Sequence, residues 1–415
     1  MTHDTAVLEA DAIIGQLLSP AALENPYPMY DRLRELAPNH LSAVGVRFVS
    51  THELCLELLK SKDFGQSFGL GSEGRDTESA FITTIKESLI LSDPPRHTRL
   101  RKLVNLAFSA RMIKELSPRI QERVDSLLDD MAETMSREGR ADLVTYLAMP
   151  LPAMVLGEML GARPEDRDRL REWEEAIANV VKPVLDEELL LRADWATKEL
   201  HSYIRELIDE RRQTPGTDII SVLAKIESEG DTLTESELVN VVFTIMAAGS
   251  QTTTATLSTM TYLLLRDRAD WTRLTEDAAL IPGALDEVMR FEAPVQNSFM
   301  RVAVRQTVLG GVTVEEGEHV VGLLAAANRD PKVFAEPDEL VLDRAEVAKS
   351  LAFGSGIHSC LGRALGRQQV IQGVESILRR FPDLALSEQE ITWRRLLPVR
   401  QLDHLYVETT ATGRQ

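Results

Sequence analysis

The chain has 415 residues, 44% of them apolar and 27% charged, which allows a large buried core and argues against a disordered or fibrous protein. A net charge of −19 argues against general binding of nucleic acid or anionic lipid, and no apolar run reaches the ~18 to 20 residues that span a bilayer. The two cysteines, Cys55 and Cys360, can build neither a disulfide framework nor a four-cysteine zinc site, and so few point to a reducing compartment.

The N-terminus, MTHDTAVLEADAIIGQLL, carries acids and no basic n-region, so it reads as neither signal peptide nor anchor. The expectation is a cytoplasmic protein, with no membrane or nucleic-acid partner. Residues 1–24 are expected as a loosely ordered segment. No repeat, low-complexity stretch or long linker divides the chain, so one continuous domain over 1–415 is expected. Helical periodicity runs through 25–37, 51–60, 96–108, 112–136, 164–180, 186–212 and 217–228; Cys55, inside the second of these, is expected in the core. The longest pattern, 234–266, opens with Thr234 and Glu237 in a T-x-x-E capping box and is long enough to cross a core. Another helix fits 275–291. After Pro294, β-rich segments at 299–304, 307–309, 312–314 and 319–324 are separated by Gly or charged turns. Residues 328–350 are irregular, and a Gly-rich loop at 354–356 precedes a helical pattern over 361–380. The class is mainly α with a minor β region.

Cys360 lies in Phe353-Gly354-Ser355-Gly356-Ile357-His358-Ser359-Cys360-Leu361-Gly362, just ahead of that last helix. A helix N-terminus favours a thiolate, and Gly354 and Gly356 permit a tight turn whose N–H groups point at the sulfur. Such a thiolate suits a nucleophile or a single axial metal ligand; a buried structural cysteine is the bland alternative. Glu287 and Arg290 share a helix face at i and i+3 and can pair. His97 and Arg101, one turn apart, offer two cationic donors to a carboxylate or phosphate, or else form a solvated basic face. In the long helix, the run from Val241 to Ala248, apolar apart from Thr244, gives way to Gly249, Ser250, Gln251, Thr252, Thr253 and Thr254. Thr hydroxyls that bond the i−4 carbonyl bend a helix, and Gly249 permits a local opening; a merely bent helix is the alternative.

The segment around Cys360 resembles, at every fixed position, the haem-binding signature of the cytochrome P450 family, F-G-x-G-x-H-x-C-x-G. The resemblance extends from about residue 25 to 407. It implies a single-domain cytochrome P450 fold, with haem b as cofactor and the long central helix crossing it. It implies Cys360 as the axial thiolate of the haem iron, His358 on a propionate, Phe353 beside the sulfur and Gly354 in the loop that carries it. His97 and Arg101 match the family's propionate-binding helix, and Arg301 a further propionate arginine. Glu287 and Arg290 match its E-x-x-R, a structural pair completed by an arginine of the irregular segment, here Arg344; Leu340 and Val341 depart from that segment's usual aromatic and acid. Ala248-Gly249-Ser250-Gln251-Thr252-Thr253 resembles the oxygen-binding motif A-G-x-[D/E]-T-T. This implies Thr252 as the hydroxyl that bonds dioxygen and guides protons to its outer oxygen. Gln251 replaces the usual acid and cannot titrate near neutrality, so protons are expected through water or a polar group of the substrate.

The resemblance therefore implies a haem-thiolate monooxygenase. One atom of O2 enters a small or mid-sized organic substrate by hydroxylation, epoxidation or dealkylation, in secondary metabolism or catabolism. With no P-loop in the chain, electrons are expected from a separate ferredoxin and its ferredoxin reductase. Arg96, Arg99, Arg101 and Lys102, with Arg363 and Arg367, are the expected docking patch of a monomer. By position in the family, the substrate pocket draws on 77–92, 170–195, 240–251, 295–299 and 396–400, including Phe243, Ala247, Val295, Gln296 and Asn297. Two other readings stay open: the same scaffold used for peroxide-driven oxidation, oxidative coupling or nitric-oxide reduction, and a haem-binding sensor or carrier without turnover.

Overall fold

The structure, a computed structural model, describes residues 3–17, 19, 22–67, 79–179, 186–228, 230–396 and 399–409. The helices are α1 (His3–Leu17), α2 (Tyr27–Leu36), α3 (His52–Lys60), α4 (Ala80–Lys86), α5 (Arg96–Ala107), α6 (Ala110–Glu138), α7 (Pro150–Leu160), α8 (Arg167–Ala178), α9 (Glu187–Gln213), α10 (Ile219–Leu223), α11 (Glu235–Gly249), α12 (Gln251–Arg266), α13 (Arg268–Glu276), α14 (Ile281–Phe291), α15 (Leu324–Ala327) and α16 (Arg363–Arg380). The strands are β1 (Asn39–Leu41), β2 (Val46–Val49), β3 (Phe64–Gln66), β4 (Ala141–Asp142), β5 (Glu227–Ser228), β6 (Asp231–Thr232), β7 (Arg301–Ala303), β8 (Thr307–Leu309), β9 (Val312–Val314), β10 (His319–Gly322), β11 (Leu384–Leu386), β12 (Trp393–Leu396), β13 (Val399–Leu402) and β14 (Tyr406–Thr409). Among the described residues no helix is long and apolar enough to cross a membrane. The chain divides into two compact units.

The first unit draws on 1–69, 279–360 and 391–403. Its frame is a five-stranded sheet of order β1-β2-β10-β7-β3, with β2 and β10 parallel and the other neighbours antiparallel. Strands β1, β2 and β3 escape a sequence reading because three or four residues are too few to show alternation; β1 pairs with β2, and β2 and β3 join the sheet through the late strands β10 and β7. Ala10, Ile13, Ile14 and Leu17 recur at helical spacing and pack with Tyr27, Tyr30, Leu33, Phe48 and Val321. That stripe makes α1 an ordered core helix rather than the loose segment expected for 1–24. A second cluster joins Leu54, Cys55 and Leu58 to Phe64, Val320 and Leu351. Burial pushes the Cys55 thiol up, the property of an inert core cysteine.

The second unit draws on 70–278, 361–390 and 404–415. Its central element is α12, in which eleven of sixteen residues are buried. Burying so many hydroxyls is costly unless each is bonded. Thr253, Thr254, Thr256, Ser258 and Thr261 all donate to their own i−4 carbonyls. Gly373 lets α16 approach, since a Cβ there would lie 3.2 Å from Leu257 Cδ1.

Three helical expectations change in this unit and its border. The single helix over 234–266 is two, α11 and α12, parted at Ser250. A Cβ at Gly249 would meet Leu156 Cδ1 of α7 at 2.9 Å, so this glycine serves close helix packing at the break. The pattern over 217–228 gives only α10, because β5 leaves the helix to pair with β6. The helix expected over 275–291 starts at Ile281 with Pro282 in its first turn, and α13 occupies 268–276. Helix α7 shows no clear period in sequence because PLPAMVLGEML is apolar on nearly every face.

Candidate functional site

In the first unit, α14 carries Glu287 and Arg290, both wholly buried. Arg290 grips the carboxylate with two donors, Nε to Oε2 at 2.7 Å and Nη2 to Oε1 at 2.8 Å. Its remaining reach goes to the carbonyls of Asn328 (2.9 Å), Pro337 (2.8 Å) and Glu339 (3.1 Å). Arg344 donates from Nε to Glu287 Oε1 at 2.9 Å and binds the carbonyls of Ala335, Glu336 and Glu339. At Val341, where an acid is usual in the resembling family, the backbone N–H donates to Glu287 Oε1 at 3.0 Å. One carboxylate thus organises the irregular segment that leads into the cysteine loop.

That loop turns on Gly354 and Gly356, with φ of +67° and +71°. Such angles favour glycine, and a Cβ at Gly356 would stand 2.5 Å from the Leu59 carbonyl oxygen at the end of α3. The Cys360 N–H donates to the Phe353 carbonyl at 2.9 Å and closes the loop, with Ile357 and His358 in a short turn between them. Cys360 is exposed, Phe353 and His358 are part-buried, and Arg301, on β7, is only 4% exposed. Cys360 precedes α16 by three residues in the chain.

In the second unit, His97 of α5 is buried at 1% exposure, and Arg101 one turn on is part-buried, its Nε donating to Asn105 at 3.0 Å. Ala248 and Thr252 share a side of the α11–α12 junction at i and i+4, and Ala248 is exposed between part-buried Ala247 and Gly249. The Thr252 hydroxyl reaches its i−4 carbonyl at only 3.4 Å, whereas that of Thr256 does so at 2.7 Å. Gln251 is part-buried.

Several expected roles change. Arg99 is not available to a docking patch: it donates to Asp231 at 2.6 Å and to Glu237 at 2.5 Å, and its guanidinium holds the Asp231 carboxyl below the usual range. Gln296 does not face a pocket. Its Nε2 donates to the Ala293 carbonyl at 2.6 Å and its Oε1 accepts from Tyr30 at 3.1 Å, which makes it a core brace. Phe243 is fully buried with its ring edge-on to His201, 5.5 Å between centroids. Burial lowers His201 to about 4, helped by Arg205, so this histidine is neutral at pH 7. Ala247 and Asn297 are part-buried, as is Val295, which bridges to Val399. Of the expected pocket stretches, 77–78, 180–185 and 397–398 lie outside the described residues. The sequence pattern singles out neither His201 nor Glu174, a carboxyl of α8 that meets Ser250. Each is one polar residue among many on a surface helix, and only packing distinguishes it.

The donor set fits a haem. Cys360 is one accessible sulfur, and among the described residues no group of three or more His, Cys, Asp and Glu side chains is placed to hold a metal. A lone soft ligand suits a metal whose other positions a macrocycle fills. Of the basic residues expected to meet the acid substituents of such a group, Arg301 of the first unit and His97 of the second are each buried.

Comparison with known proteins agrees. A sequence model of the family described as Cytochrome P450 matches residues 46–281 and 276–392. The chain is 34% identical over 403 residues to Cytochrome P450 107B1 of Saccharopolyspora erythraea, covering 94% of this chain and 96% of that one. It is 35% identical over 376 residues to Cytochrome P450 monooxygenase PikC of Streptomyces venezuelae, covering 89% and 87%. Its fold matches the crystal structure of P450BioI, solved with an acyl carrier protein bearing hexadec-9Z-enoic acid, at a TM-score of 0.87 and 31% identity over 94% of this chain and 99% of that one.

Proposed function

This chain belongs to the cytochrome P450 family, and from that premise we propose that it oxygenates a small or mid-sized organic substrate with electrons from a separate ferredoxin. It is a haem-dependent monooxygenase, and its reactants are O2 and an organic substrate. The observation that carries the reading at residue level is the glycine-turned loop, closed by the Cys360 N–H on Phe353, that presents an exposed cysteine.

Cys360 is the residue to hold the iron, with His358, Arg301, His97 and Arg101 as donors toward the propionates. When bound, the haem supplies the activation of O2. The chain's own residues set the conditions. The backbone bond of Cys360 closes the loop that carries the sulfur, and Glu287, Arg290 and Arg344 hold the segment before it. Thr252, only loosely tied to its i−4 carbonyl, is left able to donate to an oxygen. Gln251 can orient a water but cannot supply its proton. The proposed electron entry keeps Arg96, Arg101, Lys102, Arg363 and Arg367, without Arg99, and the enzyme is read as one haem domain working as a cytoplasmic monomer. Reaction subtype and substrate follow from the test.

That test is a haem absorption titration of the purified ferric protein against free fatty acids, carrier-bound acyl chains, terpenoids and aromatic precursors. A shift of the main band confined to one class, followed by label from 18O2 in the product with a surrogate ferredoxin, is expected. Turnover with peroxide but none with any ferredoxin contradicts the proposal.

A further inference from the structure

The second unit contains a side cavity of about 520 Å3 between α6, α7, α8 and α11. Its wall includes Glu174 of α8 and Met246 of α11. The Glu174 carboxyl meets the Ser250 hydroxyl, and Ser250 is itself buried at 6% exposure. Ser250 is the residue at which the long helix is broken, adjacent to Gln251 and two residues before Thr252. A titratable carboxyl therefore stands one residue away from the position where the expected acid is missing.

We propose that Glu174, acting through the Ser250 hydroxyl, delivers the protons that Gln251 cannot, drawing them from the side cavity. This rests on the oxygenase reading above. Glu174 is a positioning and relay residue, since it acts through another group. In one cycle the protonated Glu174 gives its proton to Ser250 Oγ as the Ser250 proton moves on toward Thr252 through water. Cavity water then reprotonates Glu174. One proton has moved, no electron has, and both side chains are restored.

The surroundings allow this. Across the cavity Arg123 of α6 is paired with Glu158 of α7. Arg163 is shared between Glu210 and Asp166. The other charges lining the cavity are Arg119 and Glu122 of α6 and, in the first turns of α8, Arg167, Asp168 and Arg171. The acidity of Glu174 is set first by its burial, which raises it to about 7, against a smaller opposing pull from Ser250. A carboxyl balanced near neutrality both holds and releases a proton under working conditions.

The sign of the linkage gives a readout that needs no turnover. Between the ordinary carboxyl value and about 7, the folded chain keeps a proton that the unfolded chain has lost. The contribution of Glu174 to stability therefore falls as pH rises through that window.

The experiment compares wild type, Glu174→Gln and Glu174→Gln combined with Gln251→Asp, all as haem proteins. Three quantities are followed between about pH 5 and 8: the infrared stretch of the protonated carboxyl, the melting temperature, and the share of electrons released as peroxide with a surrogate ferredoxin. Expected for wild type is a carboxyl band that titrates near neutrality and a peroxide share that rises several-fold above it. Glu174→Gln loses the band and the matching pH slope in melting, and its peroxide share is high and flat. Gln251→Asp in that background lowers the peroxide share again. A wild type with no titrating carboxyl, or a Glu174→Gln variant that follows it at every pH, overturns the relay alone. A wild type that passes no electrons to O2 overturns the oxygenase reading and the relay with it.

Discussion

Glu287→Ala is expected to lower the stability of the protein by about 3 to 5 kcal/mol and to leave it unable to retain haem. The magnitude follows from what remains. Glu287 is wholly buried and receives donors from Arg290, Arg344 and the Val341 N–H. Without it, two guanidinium groups, 0% and 7% exposed, stay in the core with no counter-charge beside them. Desolvated charge that cannot titrate away is among the costliest defects a core can carry. Glu287→Gln keeps the volume and some hydrogen bonds and is expected to fall between alanine and wild type. Denaturant titration with the haem content of the recovered protein checks both. Retention of haem with a midpoint equal to wild type would contradict the scaffold role of this carboxylate.

Thr252→Ala is expected to bind haem and substrate normally while product per electron falls by about tenfold or more and peroxide rises in step. The hydroxyl of Thr252 has only a 3.4 Å contact with the Ala248 carbonyl, and Thr252 sits beside the break at Ser250. The neighbouring hydroxyl is the control. Thr253 is buried and its hydroxyl donates to Gly249 at 3.2 Å, so Thr253→Ala is expected to alter stability slightly and coupling little. Peroxide and product are measured together against reductant consumed. Equal coupling in wild type and Thr252→Ala would remove Thr252 from proton handling.

The parts of this molecule legible in sequence are those where chemistry forces a residue type at a spacing. Gly354 and Gly356 take backbone angles that favour glycine, and Glu287 and Arg290 meet one turn apart on one helix. Thr234 and Glu237 form the reciprocal capping box that opens α11. What escaped the sequence depends on partners far along the chain. The short strands β1, β2 and β3 exist only through pairing with β7 and β10, or with each other. Gln296 looks like a polar pocket residue until Tyr30, more than 260 positions earlier, is seen to occupy its oxygen. Arg99 looks like a surface charge until the β5–β6 hairpin folds back on it. Helix α1 reads as a loose end because its apolar stripe has no meaning without Tyr27, Tyr30 and Phe48 to cover it.

The central claim is that Cys360, carried by its closed loop, is the thiolate ligand of a haem. The most direct measurement is the absorption spectrum of the reduced protein under carbon monoxide, taken for wild type and for Cys360→His. Wild type is expected to give the thiolate-type band, and Cys360→His to lose it entirely while any retained haem shows an imidazole-type spectrum. A thiolate-type band surviving in Cys360→His, or its absence from a haem-loaded wild type, would contradict the assignment.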